Sequence, residues 1–226
     1  MNLNELSKNF KELIQKPKKS RQELELQNEI GIKLEIALNE EASTLVDELN
    51  GIGLNISSIW DLVNTRKKYP RAISILLKHL VKDYSEKNKE GIVRALTVKE
   101  AIGKATPTLI DEYMKLSKDQ TILRWTIGNA IFKTITKHDV DRIIPIIKDK
   151  ENGISRQMFV AALGKVNLQN VENVLIDLLD DDEVVVQAIK ALGQLKSLKA
   201  REKIVVLSKH SNKLIKTEAE NALKVL

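Results

Sequence analysis

SRQMFVAALG, residues 155 to 164, decides how the rest of the chain is read, because its pattern returns at regular intervals. Aligned on it, residues 123 to 132 read LRWTIGNAIF, residues 184 to 193 read VVVQAIKALG and residues 215 to 224 read IKTEAENALK. Each window carries small or aliphatic residues in its middle and an Ala followed by an aliphatic residue near its end. A looser copy, VRALTVKEAIG, puts Ile102 at the matching place. From Ile102 through Ile131, Leu163 and Leu192 to Leu223 the steps are 29, 32, 29 and 31 residues. A period in that range marks stacked helix pairs, each able to bury its apolar face only against its neighbours. The expected fold is all-α, a right-handed α-α superhelix of solenoid type.

Bulk composition narrows the function classes. The chain has 226 residues, 42% hydrophobic and 30% charged, which fits one extended repeat domain of ordinary soluble character. Aromatics are only 4%, so the core must come from Leu, Ile, Val and Ala. With no cysteine, disulfides, thiolate nucleophiles and cysteine-bound zinc are excluded, and a reducing cytoplasm is the expected compartment. The opening MNLNELSKNF lacks a signal-peptide core, and no apolar run approaches the ~20 residues of a bilayer span. A soluble cytoplasmic protein, without membrane contact, is expected. The net charge of +6 suits nucleic acid, an acidic partner or neither.

Along the chain, residues 1–66 read as an amino-terminal helical cap and residues 67–226 as the solenoid, with about five helix pairs. Leu6, Phe10, Leu13 and Ile14 have helical spacing before a break at Pro17, and the lysines around them form either a basic arm or a solvated face. Between 22 and 38, Leu24, Leu26, Ile30, Ile32, Leu34, Ile36 and Leu38 alternate as in a strand. The residue types nevertheless favour helix, since a lone strand would leave its backbone unpaired. Residues 85–90 read as a charged loop, with Gly91 opening a second helix that ends near Gly103. Pro145, inside the helix of residues 138–148, is expected to bend it.

These windows resemble the HEAT and HEAT-like repeats, whose second helix reads roughly V-R-x-x-A-A-x-A-L-G after a Leu-rich first helix and an acidic turn. Leu175 to Asp182 followed by Val184 to Gly193 gives the whole unit. The resemblance covers residues 92–226 and is fainter upstream. IWDLVN (59–64), EGIVRALTVKEA (90–101) and LRWTIGN (123–129) look like phrases of uncharacterised bacterial HEAT-repeat proteins. The resemblance implies a scaffold without catalytic activity that holds a protein partner on its inner, second-helix surface; no cofactor is expected, and the chain is expected to be a monomer or weak oligomer. Phe132 departs from the repeat's glycine and Val185 from its arginine.

Arg94, Arg124 and Arg156 fall at equivalent places, so stacking is expected to line them up along the inner surface, where they would grip phosphates or carboxylates. The alternative is structural, each pairing with an acidic residue of the preceding turn such as Asp119 or Asp149. Trp125 and Gln157, with Asn129, are expected to face the same groove, and Trp60, Asp61 and Asn64 to line its amino-terminal end. The alternative buries both indoles between helices. A nucleic-acid reading of the HEAT-like DNA glycosylase type would use Trp60, Asp61 and Trp125 as an aromatic pocket with a carboxylate. His79, His138 and His210 lie in different repeats, so no metal site is expected.

Overall fold

A computed structural model describes residues 2–63 and 65–226, Gln169 by its backbone alone, and among them there are fourteen α-helices and no strand. The chain divides into two compact units, Met1–Ala95 and Leu96–Leu226. Residues 67–95, expected with the solenoid, fall in the first of these units.

In the first unit, α1 (Leu3–Gln15) and α2 (Arg21–Glu41) each begin with a capping box, Asn2 with Glu5 and Ser20 with Glu23. Reciprocal caps satisfy amides that have no partner within the helix. Pro17 lies in the short turn between them, and Leu6, Leu13 and Ile30 bury their side chains together with Phe10, Leu34 and Ala37 at the edge. The even-numbered alternation is therefore helical, but it serves two sides of α2. Ile30 faces α1, whereas Leu24, Leu26, Ile32 and Ile36 are exposed.

Next come α3 (Ser43–Gly51), α4 (Trp60–Val63), α5 (Ala72–Leu80) and α6 (Glu86–Ala95), packed through Leu45, Leu49, Ile59, Leu76 and Ile92. Residues 86–90 are helix, contrary to the loop expected there. Lys87 and Arg94 both bind Glu90, and Glu41 accepts hydrogen bonds from the Ser85 amide and the Asn88 side chain, which anchors the start of α6. This helix stops at Ala95. Residues 99–101 form one 3₁₀ turn and Gly103 has φ 72°, so the looser copy at Ile102 is not a second helix.

In the second unit the pairs are α7 (Thr106–Lys115) with α8 (Thr121–Thr134), α9 (Val140–Lys148) with α10 (Gln157–Leu163), α11 (Gln169–Asp177) with α12 (Val185–Leu195), and α13 (Arg201–Leu207) with α14 (Lys213–Leu223). The second helices stack in chain order, α8 on α10, α10 on α12 and α12 on α14, the arrangement of an α-solenoid. One column of the sequence pattern, Ala130, Ala162, Ala191 and Ala222, lies buried in that stack. Pro145 sits within α9, which runs on to Lys148.

Small residues set the spacing. A Cβ on Gly164 would stand 2.8 Å from the Ala191 Cα and 3.0 Å from its Cβ, so α10 and α12 meet there almost backbone to backbone. Phe132, at the matching place, instead turns its ring to the Lys165 ammonium at 3.5 Å, and that lysine also donates to the Phe132 carbonyl. Gly164→Ala should cost about 1–3 kcal/mol in urea denaturation, because the Ala191 backbone cannot move aside. Gly51→Ala, where an added Cβ meets nothing within 4 Å, should leave the midpoint unchanged or slightly raised.

Candidate partner-binding site

Two arginines of the second unit, for which the sequence offered either an exposed or a structural place, lie buried. Arg156, immediately before α10, is 0% exposed, and all five of its N–H donors are placed. Nε donates to the Gly153 carbonyl at 3.0 Å. Nη1 donates to the Ile147 carbonyl at 3.1 Å and to Asp181 Oδ2 at 2.8 Å, while Nη2 reaches Asp181 Oδ1 and Glu183. Arg124, near the start of α8, is also buried. It donates to the Leu116 carbonyl, the Tyr113 hydroxyl and Asn152 Oδ1, the last at 2.6 Å, and its guanidinium lies 4.2 Å from the centre of the Tyr113 ring.

Two expectations are corrected by this geometry. Arg156 does not face a groove, because its five donors are consumed inside the fold, whereas Arg124 lines the depression described below with three of its donors engaged. The carboxylates that bind Arg156, Asp181 and Glu183, also lie in the following turn rather than at Asp149 in the preceding one, while Arg124 bonds Tyr113 of α7 on one side and Asn152 of the following turn on the other. Hydrogen bonding from Arg156 holds the Asp181 carboxyl below the usual aspartate range, against the opposing effect of burial.

Arg94 differs again. It lies in the last turn of α6, not at the start of a helix, and donates to Glu90 Oε1 at 2.8 Å within the same helix. Trp60 and Asp61 share its unit, while Arg124, Trp125, Asn129, Arg156 and Gln157 belong to the second. The Trp60 ring is half-buried near Gly91, with the Lys87 ammonium 4.3 Å from its centre. Asp61 accepts hydrogen bonds from the Ser57 and Ser58 amides at the start of α4, and these keep its carboxyl below the usual range. Asn64 is outside the described residues.

Around Trp125 the surface is open. The indole is 49% exposed beside a depression with a cavity volume of about 250 Å³. One wall is the first turn of α8, with Thr121 and Trp125. The other is the 3₁₀ stretch Lys150–Arg156, in which Gly153 takes φ 54° and Ile154 is 69% exposed. Lys118 and Glu151 pair at 2.8 Å, one from each side. Beneath them Arg124 fixes Asn152, whose amide also donates to the Ile146 carbonyl, and the Ser155 hydroxyl bonds the Asn152 carbonyl and Tyr113. Floor and wall are thus tied by polar groups already satisfied.

Asn129 and Gln157 do not line this depression. Asn129 donates to the Trp125 carbonyl on its own helix, and Gln157 to the Glu183 carbonyl of the next turn. Ile154, Lys118 and Glu151 went unread in the sequence. The one signal was an aliphatic residue directly after a glycine in an otherwise polar break, KENGIS. Chemically the depression offers an aromatic and an aliphatic wall with one charge of each sign, a site for an apolar side chain with polar neighbours. No cluster of three potential metal ligands occurs among the described residues, and no described helix is long and apolar enough to cross a membrane.

A family model of HEAT repeats matches residues 140–224, the span that holds the last three helix pairs. A solved structure, the designed armadillo repeat protein YIII(Dq)4CqI, is similar in fold, with a TM-score of 0.50 at 20% identity over 98% of this chain and 99% of that one. Among curated proteins none matches the sequence.

Arg156 supplies the first check on this site's framework. Arg156→Met should destabilise the protein by about 3–5 kcal/mol in urea, because the buried Asp181 carboxylate loses its counter-charge. The ordinary aspartate value is 3.8 and the folded value is lower, so this interaction stabilises fully above that pH and is lost as acid protonates Asp181 in the folded state. Asp181→Asn should therefore flatten the fall in stability that the parent protein shows as the pH drops below about 3.8.

Proposed function

Because residues 140–224 of this chain are HEAT repeats, a fold that typically serves as a protein-interaction scaffold, we propose that it is a non-catalytic protein-binding module. We place its docking centre at the depression between the start of α8 and residues 150–156. The observation that carries this reading is Trp125, half open to solvent opposite Ile154 over a floor fixed by the Arg124 hydrogen bonds. An exposed indole on a rigid base costs little entropy to engage, and such residues dominate binding energies at protein interfaces. The partner presents an apolar side chain to this depression. The Lys118–Glu151 pair at the rim selects for polar flanks of either sign.

The nucleic-acid alternative needs cations that converge on an open surface. Arg156 has no free donor to offer, Arg124 has three of its donors engaged within the fold, and the Asp61 carboxylate is engaged by the Ser57 and Ser58 amides, which weighs against a base-excision pocket.

Peptides selected from a displayed random library on the whole protein would test the proposal. Trp125→Ala and Ile154→Asp should each weaken the selected peptides by about 30-fold or more, the equivalent of roughly 2 kcal/mol, with an unchanged urea midpoint. Peptides that bind these variants as tightly as the parent would place the site elsewhere. Tight, steeply salt-dependent binding to duplex DNA, indifferent to Trp125→Ala, would favour the alternative.

A further inference from the structure

One face of α8 continues from the Trp125 depression to the far end of the helix. Trp125, Asn129 and Lys133 follow at intervals of four, the spacing that keeps residues on one side of a helix. Between Trp125 and Lys133 only Asn129 and Phe132 are not buried, so this face is the part of α8 left open. The rise of the helix makes it about 12 Å long.

The far end is cationic and lacks a counter-charge. Lys165, just past the end of α10, lays its ammonium 3.5 Å from the centre of the Phe132 ring and gives one N–H to the Phe132 carbonyl at 2.6 Å. An ammonium has three donors, and neither the other two of Lys165 nor any of Lys133 meets an acceptor among the described residues. Partial desolvation, and after it the nearby Lys133 charge, hold the Lys165 ammonium below the usual lysine range, with no carboxylate acting the other way. The repeat itself does not ask for this pair, because the matching place holds Gln194 in α12 and Val225 after α14. A helix carboxyl end favours a cation, which accounts for one lysine here but not for two that repel.

Building on the protein-binding reading above, we propose that the bound segment is acidic: it runs along α8 as an extended chain and sets a carboxylate on Lys133 and Lys165, about four residues from the apolar side chain held beside Trp125. An extended chain advances about 3.3 Å per residue and turns alternate side chains to one face, so residues four apart lie about 13 Å apart on the same side. That matches the open length of α8. A carboxylate has two oxygens for the two ammonium groups, and its charge relieves the repulsion between them. The Phe132 ring shields one side of the Lys165 ammonium from water, which makes the attraction stronger than one between fully exposed charges.

A displayed library of random peptides with one fixed leucine, selected on the whole protein, tests the pairing. Selected peptides should be enriched in aspartate or glutamate about four residues to one side of the leucine. Such a peptide should lose about tenfold or more in affinity on the double substitution Lys133→Gln and Lys165→Gln, at an unchanged urea midpoint because neither side chain is buried. The same peptide with glutamine in place of its acidic residue should bind the parent and the double variant equally, whereas Trp125→Ala should weaken both peptides. Peptides that need Trp125 yet show no acidic enrichment at that spacing, or that bind the double variant as tightly as the parent, would overturn the acidic segment and leave the docking centre standing. Peptides indifferent to Trp125→Ala would overturn both.

Discussion

A guanidinium can be taken out of water only where acceptors meet every N–H, and at Arg156 five do. Two are carbonyls in the approach to its own helix, from Ile147 and Gly153. The carboxylate acceptors, Asp181 and Glu183, belong to the turn of the next pair. The interaction therefore fixes the angle between successive pairs as well as the start of α10. Apolar stacking of Ala130, Ala162, Ala191 and Ala222 supplies attraction without direction, and the arginine adds the direction.

Arg124 repeats the device with a neutral partner. Asn152 and Asp181 stand at equivalent places, three residues before their aligned windows, and each receives the arginine of the preceding pair. At the third pair Val185 replaces the arginine and is buried, while Asn212, the next residue in that series, caps α14 by accepting from the Leu214 amide. The departure of Val185 from the repeat pattern thus coincides with Asn212, whose side-chain oxygen is taken up by the cap of α14. The depression at Trp125 is a by-product of the same device, since Arg124 must draw Asn152 and its 3₁₀ segment towards α8.

Much of this was legible in the sequence because repeat stacking is encoded locally. The Ala and Leu columns at Ala162–Leu163 and Ala191–Leu192 give the period, and they are the buried seam. The copy at Ile102 misled because apolar spacing alone cannot tell a helix from a 3₁₀ turn ended by a glycine with positive φ, as at Gly103. The alternation in α2 resisted a one-sided reading because its apolar residues serve two sides. The arginines were misplaced for a different reason. Their partners lie 28 and 25 residues away in another pair, and a residue that looks like surface charge within its own helix is core only by virtue of that distant group. Ile154 was invisible, since its exposure follows from the backbone turn at Gly153.

Loss of the arginine clamp at Val185 also has a mechanical side. At the junction between α11/α12 and α13/α14 no arginine clamp occurs among the described residues, and apolar contact is joined by the Ser197 hydrogen bond to Glu172 and by the pairs Lys190–Glu218, Lys199–Glu172 and Lys203–Asp180, which water screens. In a linear array whose cooperativity passes only between neighbours, the weakest seam opens first. The pair α13/α14 is thus the compliant end of its unit, able to fray and re-close while the clamped pairs keep their form.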